Sequence, residues 1–129
     1  MSPDALKTLL RGFLSGESHP GRSLISHLEG VSDISLGIGR THNVLNADEE
    51  TLLSKIALTH DLGKERPEWQ NYLNKGGPKT NHSTASSLFT FDTTGDVMAA
   101  ELVRSHHGSF PDLNRAITDF WGRDDFSVD

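Results

Sequence analysis

A histidine and an aspartate stand side by side at His60 and Asp61, within the sequence LTHDLGK. Such a pair supplies two metal ligands from one short segment, because an imidazole nitrogen and a carboxylate oxygen both bind divalent cations. Lys64, about one helical turn further along, adds a positive charge beside them. The residues that can complete a metal site are histidines elsewhere in the chain, namely His27, His42, His82, His106 and His107.

The composition narrows the kinds of site that the protein can build. A chain of 129 residues has the length of one domain. Cysteine is absent, which excludes disulfides and thiolate metal sites and leaves imidazole and carboxylate as the metal ligands. The net charge of -6 argues against a broad basic surface that would hold nucleic acid by itself.

The sequence shows no signal that would direct it to a membrane. No apolar run approaches the roughly 20 residues of a membrane span. The N-terminal segment MSPDALKTLLRGFL lacks the basic start and the cleavage site of a signal peptide. We therefore expect a soluble protein in the cytoplasm, with no membrane partner.

Helix-start residues and glycine stops recur along the chain, whereas the alternating β-branched pattern of strands is scarce. The sequence therefore predicts an all-α fold in which ESHPGRS is a loop and Ser83 caps a helix. The predicted helices are Asp4 to Ser15, Leu24 to Arg40, Asp48 or Glu49 towards His60, PEWQNYL, STASSLF, Asp96 towards His106, and Asp112 to Trp121.

His27, His60 and His106 each extend the apolar face of a predicted helix, and Asp61 continues the face that carries His60. A single histidine on such a face is more often a hydrogen-bonded core residue than a metal ligand. Burying several imidazoles without partners is costly, so a shared metal is the simpler explanation for all three. The apolar residues of these faces are Leu24, Leu28, Val31, Ile34 and Ile38, then Leu52, Leu53, Ile56 and Ala57, and then Ala99, Leu102 and Val103.

Four local strings, taken in order, resemble the HD-domain phosphohydrolases. They are SLISHLEGV around His27, THDLGK at His60, NHSTAS at His82, and RSHHGSFPDL around His106. The HD nuclease of type I CRISPR interference, a domain fused to or partnered with the Cas helicase, is the group that they resemble most. A His-Asp pair alone is weak evidence, but the ordered series is specific, and it extends roughly from Leu24 to Leu113.

The resemblance implies an HD-domain helical bundle with a central metal site. In it, His27, His60 and Asp61 hold one ion, while Asp61, His82, His106 and His107 hold a second, so that Asp61 bridges the two. Lys64 matches a lysine that the family places near the metals, where it can stabilise charge that develops in the transition state. Imidazole-rich coordination favours one or two transition-metal ions, namely Mn, Ni, Co, Fe or Zn.

The chain departs from the family pattern near its end. The family completes its first metal position with a later aspartate, which no residue here matches. We therefore expect a single domain over residues 1–129 that is shortened at the C-terminus. We also expect its first metal position to be weakly occupied or empty. His19 and His42 match nothing in the family, and we expect both at the surface. Lys64 and Arg66 are candidates for substrate binding. The neighbouring aromatic residues Trp69 and Tyr72 can either stack on bases or, as we expect, pack onto the core.

Three functions fit these observations. The first is a metal-dependent nuclease that cleaves single-stranded DNA in CRISPR interference, an antiviral defence, with Asp61 and Lys64 as catalytic residues and a Cas helicase and CRISPR effector complex as partners. The second is an HD phosphohydrolase that acts on nucleotides or cyclic nucleotides. The third is a non-catalytic, metal-stabilised subunit that docks onto a helicase or effector complex.

Overall fold

The structure, a computed structural model, describes residues 1–107. In it, residues that the sequence marks as helix starts form hydrogen-bonded N-caps. Ser2 accepts a hydrogen bond from the backbone N–H of Ala5, and Asn46 forms a capping box with Glu49. Such caps satisfy backbone donors that the first turn leaves free, and each contributes about 1 kcal/mol. The elements are α1 (Pro3–Phe13), β1 (Glu17–His19), β2 (Arg22–Ser23), α2 (Leu24–Thr41), α3 (Ala47–Thr59), a 3₁₀ turn (Leu62–Glu65), α4 (Pro67–Lys75), α5 (Ser83–Thr94) and α6 (Val97–Ser105).

The all-α prediction is confirmed, with two local differences. The segment predicted to be a loop forms a short antiparallel hairpin, in which Glu17 pairs with Ser23 and His19 with Arg22. Ser83 does not cap α5; Asn81 Oδ1 accepts from its backbone N–H at 2.8 Å instead, because the asparagine side chain precedes the helix start. The last predicted helix, Asp112 to Trp121, lies outside the described residues.

A leucine core joins α1, α2, α3 and the 3₁₀ turn. Its members are nearly or completely buried, and each contributes roughly 1.5–3 kcal/mol through removal from water. This core fixes the C-terminal end of α3 against α2. The cluster consists of Leu6, Leu10, Leu24, Leu28, Leu58 and Leu62.

The apolar face predicted for α2 is buried only in its N-terminal half. Ile34 is 65% exposed and Ile38 is 58% exposed, so their predicted burial was wrong. α2 packs on α3 through a narrower face, on which Ser32 is fully buried and its hydroxyl lies 2.8 Å from that of Ser54. Ile34 and Ile38 lie outside this face.

Buried hydroxyl groups also join α3 to α5. Thr59 Oγ1 and Thr90 Oγ1 lie 2.8 Å apart, and both residues are fully buried. Each hydroxyl also lies within hydrogen-bond distance of a backbone carbonyl of its own helix, Thr59 that of Lys55 and Thr90 that of Ser86, so one hydroxyl donates to its carbonyl and the other donates across to its partner. α3 therefore lies between α2 and α5, and its end is held from both sides. No helix within residues 1–107 has the length and apolar character needed to span a membrane.

Candidate metal centre

The carboxylate of Asp61 lies at the point where α3 gives way to the 3₁₀ turn. Asp61 is 3% exposed and is surrounded by imidazole rings from α2, from the start of α5 and from the end of α6. Its two oxygen atoms face different residues. This division separates the predicted metal ligands into two groups that share Asp61.

The first group consists of His27, His60 and Asp61. Asp61 Oδ2 lies 2.9 Å from His27 Nε2 and 3.3 Å from His60 Nε2. His27 lies on α2 and His60 is the residue at which α3 ends. The helix packing described above therefore brings these two side chains to one oxygen atom.

The second group consists of Asp61, His82, His106 and His107. Asp61 Oδ1 lies 3.3 Å from His82 Nε2, 3.1 Å from His106 Nε2 and 3.9 Å from His107 Nε2. His82 immediately precedes α5 and His106 follows α6, so helix ends position both rings. The structure thus brings the five predicted histidine ligands around the carboxylate of the sixth predicted ligand, Asp61.

Backbone carbonyl groups orient two of these rings. His60 Nδ1 lies 2.6 Å from the carbonyl oxygen of Ala57, and His106 Nδ1 bonds the carbonyl of Val103. An Nδ1–H that donates to a carbonyl leaves the Nε2 lone pair free for a metal. Both rings direct Nε2 at Asp61, which is the orientation that metal ligands require.

The polar atoms of the centre fit a divalent metal. His82 Nε2 is buried and has no hydrogen-bond partner among the described residues, although it faces Asp61. A carboxylate offers about four acceptor positions, and five imidazoles and one ammonium group point at this one. A cation between the imidazole nitrogens and the carboxylate would accept the nitrogen lone pairs, including that of His82 Nε2, and balance the carboxylate charge. The abundance of nitrogen ligands favours a transition metal over Mg²⁺, which prefers oxygen.

Asp61 is ionised throughout the physiological pH range. Burial alone would raise its pKa, but the hydrogen bond from His106 and the neighbouring imidazole of His60 outweigh burial and hold the pKa of Asp61 well below its usual range. The centre therefore offers a permanent negative charge to a cation.

The histidines differ in how readily they take up a proton. Burial outweighs the hydrogen bond to Asp61 and lowers the pKa of His27. Burial, together with the charge of neighbouring histidines, lowers the pKa of His107. For His106, burial acts in the same direction, but hydrogen bonds to Asp61 and to the Val103 carbonyl outweigh it and raise its pKa. His27 and His107 are thus neutral ligands near pH 7. His106 is more often protonated, and it must then lose its proton before it can bind a metal.

Lys64 lies within the centre. Its Nζ is 3.2 Å from Asp61 Oδ2 and 3.5 Å from the carbonyl oxygen of Ser18, and the residue is 5% exposed. The ammonium group also lies 4.9 Å from the centre of the Trp69 ring, a cation–π distance. Arg66, the other predicted substrate-binding residue, is half-exposed, and its Nε lies 3.5 Å from Glu68 Oε2.

The packing alternative for Trp69 holds in the structure. The residue is buried, and its ring packs edge-on against His82, with 5.7 Å between the ring centres. Tyr72 in turn contacts Trp69. Trp69 therefore packs against the metal centre and is not available for base stacking, whereas Tyr72 is partly buried.

Two residues beside the centre were missed by reasoning from the sequence. A Cβ atom at Gly63 would overlap the carbonyl oxygen of His82, so only glycine permits this approach. Ser86 accepts a hydrogen bond from the Gly63 N–H at 2.8 Å and donates one to the His82 carbonyl at 2.7 Å. The glycine within THDLGK was the available signal, because an isolated glycine next to a candidate site can mark close backbone contact.

An open groove lies beside the centre, between α2, α3 and α6. It has a volume of about 420 Å³, and His60 and His106 form one edge of it. The remaining surface is largely aliphatic, with Val31, Leu53 and Ile56 among the contributing residues. An apolar part of a ligand can therefore bind directly next to the metal-binding residues.

Comparison with known protein families agrees with this geometry. Residues 24–121 match the family model of the HD domain, which spans most of the chain and includes every residue of the centre. Searches of curated proteins and of solved structures each gave no match. HD domains bind divalent metals and are typically metal-dependent hydrolases of phosphate esters. The chain belongs to the HD domain family.

Proposed function

We propose that this protein is a metal-dependent phosphodiesterase that cleaves single-stranded DNA. The division of the Asp61 carboxylate carries the proposal, because Oδ2 faces His27 and His60 whereas Oδ1 faces His82, His106 and His107. A carboxylate that is shared in this way is suited to two cations. Two-metal sites are a common arrangement for cutting phosphodiester bonds.

When bound, a pair of divalent ions supplies an activated water and neutralises charge on the phosphate. The protein residues position these elements. In the proposal the first group (His27, His60 and Asp61) and the second group (Asp61, His82, His106 and His107) each hold one ion. Mn, Ni, Co, Fe and Zn all suit imidazole ligands of this kind.

We assign to Lys64 a positioning role that acts through Asp61. Its ammonium group is buried against Oδ2 at 3.2 Å, so it orients the carboxylate and keeps it ionised. The same charge lies close enough to the centre to favour a negatively charged phosphate. Arg66 is more exposed and contributes at most long-range attraction, because Glu68 pairs with it.

The choice of single-stranded DNA rests on the ordered strings around His27, His60, His82 and His106, which resemble the HD nucleases of CRISPR interference. The centre also has an open side, since the His107 side chain is 55% exposed. A flexible strand can reach such an opening more easily than a duplex can. We further propose that a Cas helicase and its CRISPR effector complex deliver this strand to the protein.

Replacing the shared ligand tests the proposal. Asp61→Ala should abolish cleavage of fluorescently labelled single-stranded DNA in the presence of Mn²⁺, Ni²⁺ or Co²⁺, because both groups lose their common carboxylate. Metal analysis of the same variant should show loss of bound ions. Asp33→Ala is the matched control, because the Asp33 side chain is an exposed carboxylate on α2 whose nearest cation, Lys7, is 3.9 Å away. Cleavage by Asp61→Ala at the rate of the unmodified protein would exclude the assignment.

The groove favours one alternative substrate class. Its volume of about 420 Å³ and its aliphatic surface suit a single nucleobase beside the centre. A nucleotide or cyclic nucleotide is therefore the second candidate substrate. Parallel assays with oligonucleotides, mononucleotides and cyclic nucleotides distinguish the two, since a nucleotide hydrolase acts on the small substrates and leaves oligonucleotides intact. Bound metal without turnover of any substrate would instead indicate the non-catalytic subunit.

A further inference from the structure

The hairpin of β1 and β2 places a sixth histidine, His19, beside the first group. The ring of His19 packs edge-on against that of His27, with 5.5 Å between the ring centres. His19 is exposed, and sequence reasoning assigned it to the surface without a role. Its position beside a proposed metal ligand calls for an explanation.

The hairpin is fixed to the residues that surround the centre. Gln70 exchanges two hydrogen bonds with the backbone of Glu17, at 3.1 Å and 2.8 Å. The carbonyl oxygen of Ser18 accepts from Lys64 Nζ, which also contacts Asp61. Glu17 and Ser18, the two residues that precede His19, are thus hydrogen-bonded to Gln70 and Lys64. These bonds fix the position of His19 relative to the centre.

The Nδ1 atom of His19 has a hydrogen-bond partner, as do the Nδ1 atoms of His60 and His106. His19 Nδ1 lies 3.1 Å from Ser18 Oγ, which can accept a hydrogen bond from it. This arrangement leaves the Nε2 lone pair available, as the bond from Nδ1 to the Ala57 carbonyl does for His60. Ser18 is fully buried, so its hydroxyl is a fixed partner for the ring.

The spacing of the rings is that of ligands on a common ion. Two imidazoles on one ion, with metal–nitrogen bonds of about 2 Å, have ring centres about 5 Å apart. His19 and His27 are separated by 5.5 Å, compared with 5.3 Å for His27 and His60, two rings of the first group. The ring of His19 therefore lies about as far from His27 as a second imidazole ligand on the same ion would lie.

The first group has room for a further ligand. Within residues 1–107 it contains three ligand residues, whereas transition-metal ions take four or more ligands, which come from the protein or from water. We propose that His19 is an additional ligand of the ion held by His27, His60 and Asp61, an inference that rests on the proposed function. His19 Nε2 stands outside the set of ligand atoms that lie within 4.8 Å of one another, so its exposed ring would turn inward when the ion binds and would exchange the hydrogen bond to Ser18 for the metal.

Metal binding to His19→Ala tests this inference. Isothermal titration with Mn²⁺ or Ni²⁺ should show one of the two ions bound at least about tenfold more weakly, because loss of a ligand costs no less than loss of its supporting hydrogen bond. His42→Ala is the matched control, because His42 is an exposed histidine at the end of α2. His42→Ala should bind both ions like the unmodified protein.

Further measurements distinguish a ligand from a structural residue. The visible spectrum of bound Co²⁺ should change in His19→Ala, and His19→Glu, which offers a carboxylate at similar reach, should recover part of the lost affinity. Thermal unfolding of the metal-free variants should match that of the unmodified protein, since the side chain is exposed. Unchanged affinity for both ions in His19→Ala would overturn the inference alone. Absence of metal binding by the unmodified protein would instead overturn the proposed function.

Discussion

Gly63→Ala should damage the metal centre without touching any of its ligands. A Cβ atom at this position would lie 2.9 Å from the carbonyl carbon of His82 and 3.0 Å from Ser86 Oγ, and closer still to the His82 oxygen. The obstacle is backbone, which cannot swing aside as a flexible side chain can. The start of α5 must therefore move away from the 3₁₀ turn, and His82 must move with it.

The size of the effect follows from two contributions. Separating the two segments breaks the buried bond from Gly63 N–H to Ser86 Oγ, which costs roughly 1–3 kcal/mol. Overpacking of a close contact costs about 1–3 kcal/mol more. We expect the free energy of unfolding to fall by about 2–5 kcal/mol, less than the stability of many domains. The ion of the second group should bind at least about tenfold more weakly, because a ligand carried on a displaced segment no longer meets the others.

Urea unfolding followed by circular dichroism measures the first effect, and metal titration of the folded variant measures the second. Gly37→Ala is the matched control, because Gly37 lies within α2 with nothing within 4 Å of its added Cβ. Alanine there should stabilise the helix by about 0.5–1 kcal/mol and leave metal binding unchanged. If Gly63→Ala were as stable as the unmodified protein and bound both ions equally well, the argument from close backbone contact would be refuted.

Three further outcomes follow from the packing and from the pKa shifts. Leu28→Ala should lower the free energy of unfolding by about 2–5 kcal/mol, whereas Ile34→Ala should change it by less than about 0.5 kcal/mol; equal losses in urea unfolding would contradict the burial of α2. Thr90→Val should cost roughly 0.5–1.5 kcal/mol in the same assay, because the bond between the two hydroxyls is lost while Thr59 can still donate to the Lys55 carbonyl; an unchanged midpoint would argue against the bond between the hydroxyls. Ion binding should release more protons at about pH 6.5 than at about pH 8.5, because the raised pKa of His106 keeps it protonated at the lower pH. Calorimetry in buffers of different ionisation enthalpy measures this release, and His106→Ala should reduce the difference.

Local sequence signals predicted the helices well and some of their contacts poorly. The start of α2 at Leu24 and the burial of Leu28 agree with the apolar spacing. The burial of Ile34 and Ile38 was wrong, because spacing identifies an apolar face but not how much of it another helix covers. The face of α2 that packs on α3 includes the buried Ser32, and a serine does not stand out in a hydrophobic pattern as a buried residue.

The composition of the candidate centre was predictable from the ordered strings, whereas its internal arrangement was not. His27, His60, His82 and His106 were each singled out by motif and position. Which oxygen of Asp61 each ring approaches depends on the angles between helices, and sequence spacing does not specify those angles. The nearness of His19 depends on a hairpin held by side chains more than 40 residues away in sequence, at separations of 46 and 53.

The long separations within the centre have a consequence for the lifetime of the folded protein. Asp61 is 34 residues from His27 and 45 residues from His106, so their contacts close long loops. The ion needs all of these ligands together, an arrangement that we expect in the folded state but not in the transition state of folding. An ion that stabilises this arrangement should therefore slow unfolding strongly while leaving the rate of refolding nearly unchanged. In this protein the metal supply would then determine how long a folded molecule persists, and not only whether it is active.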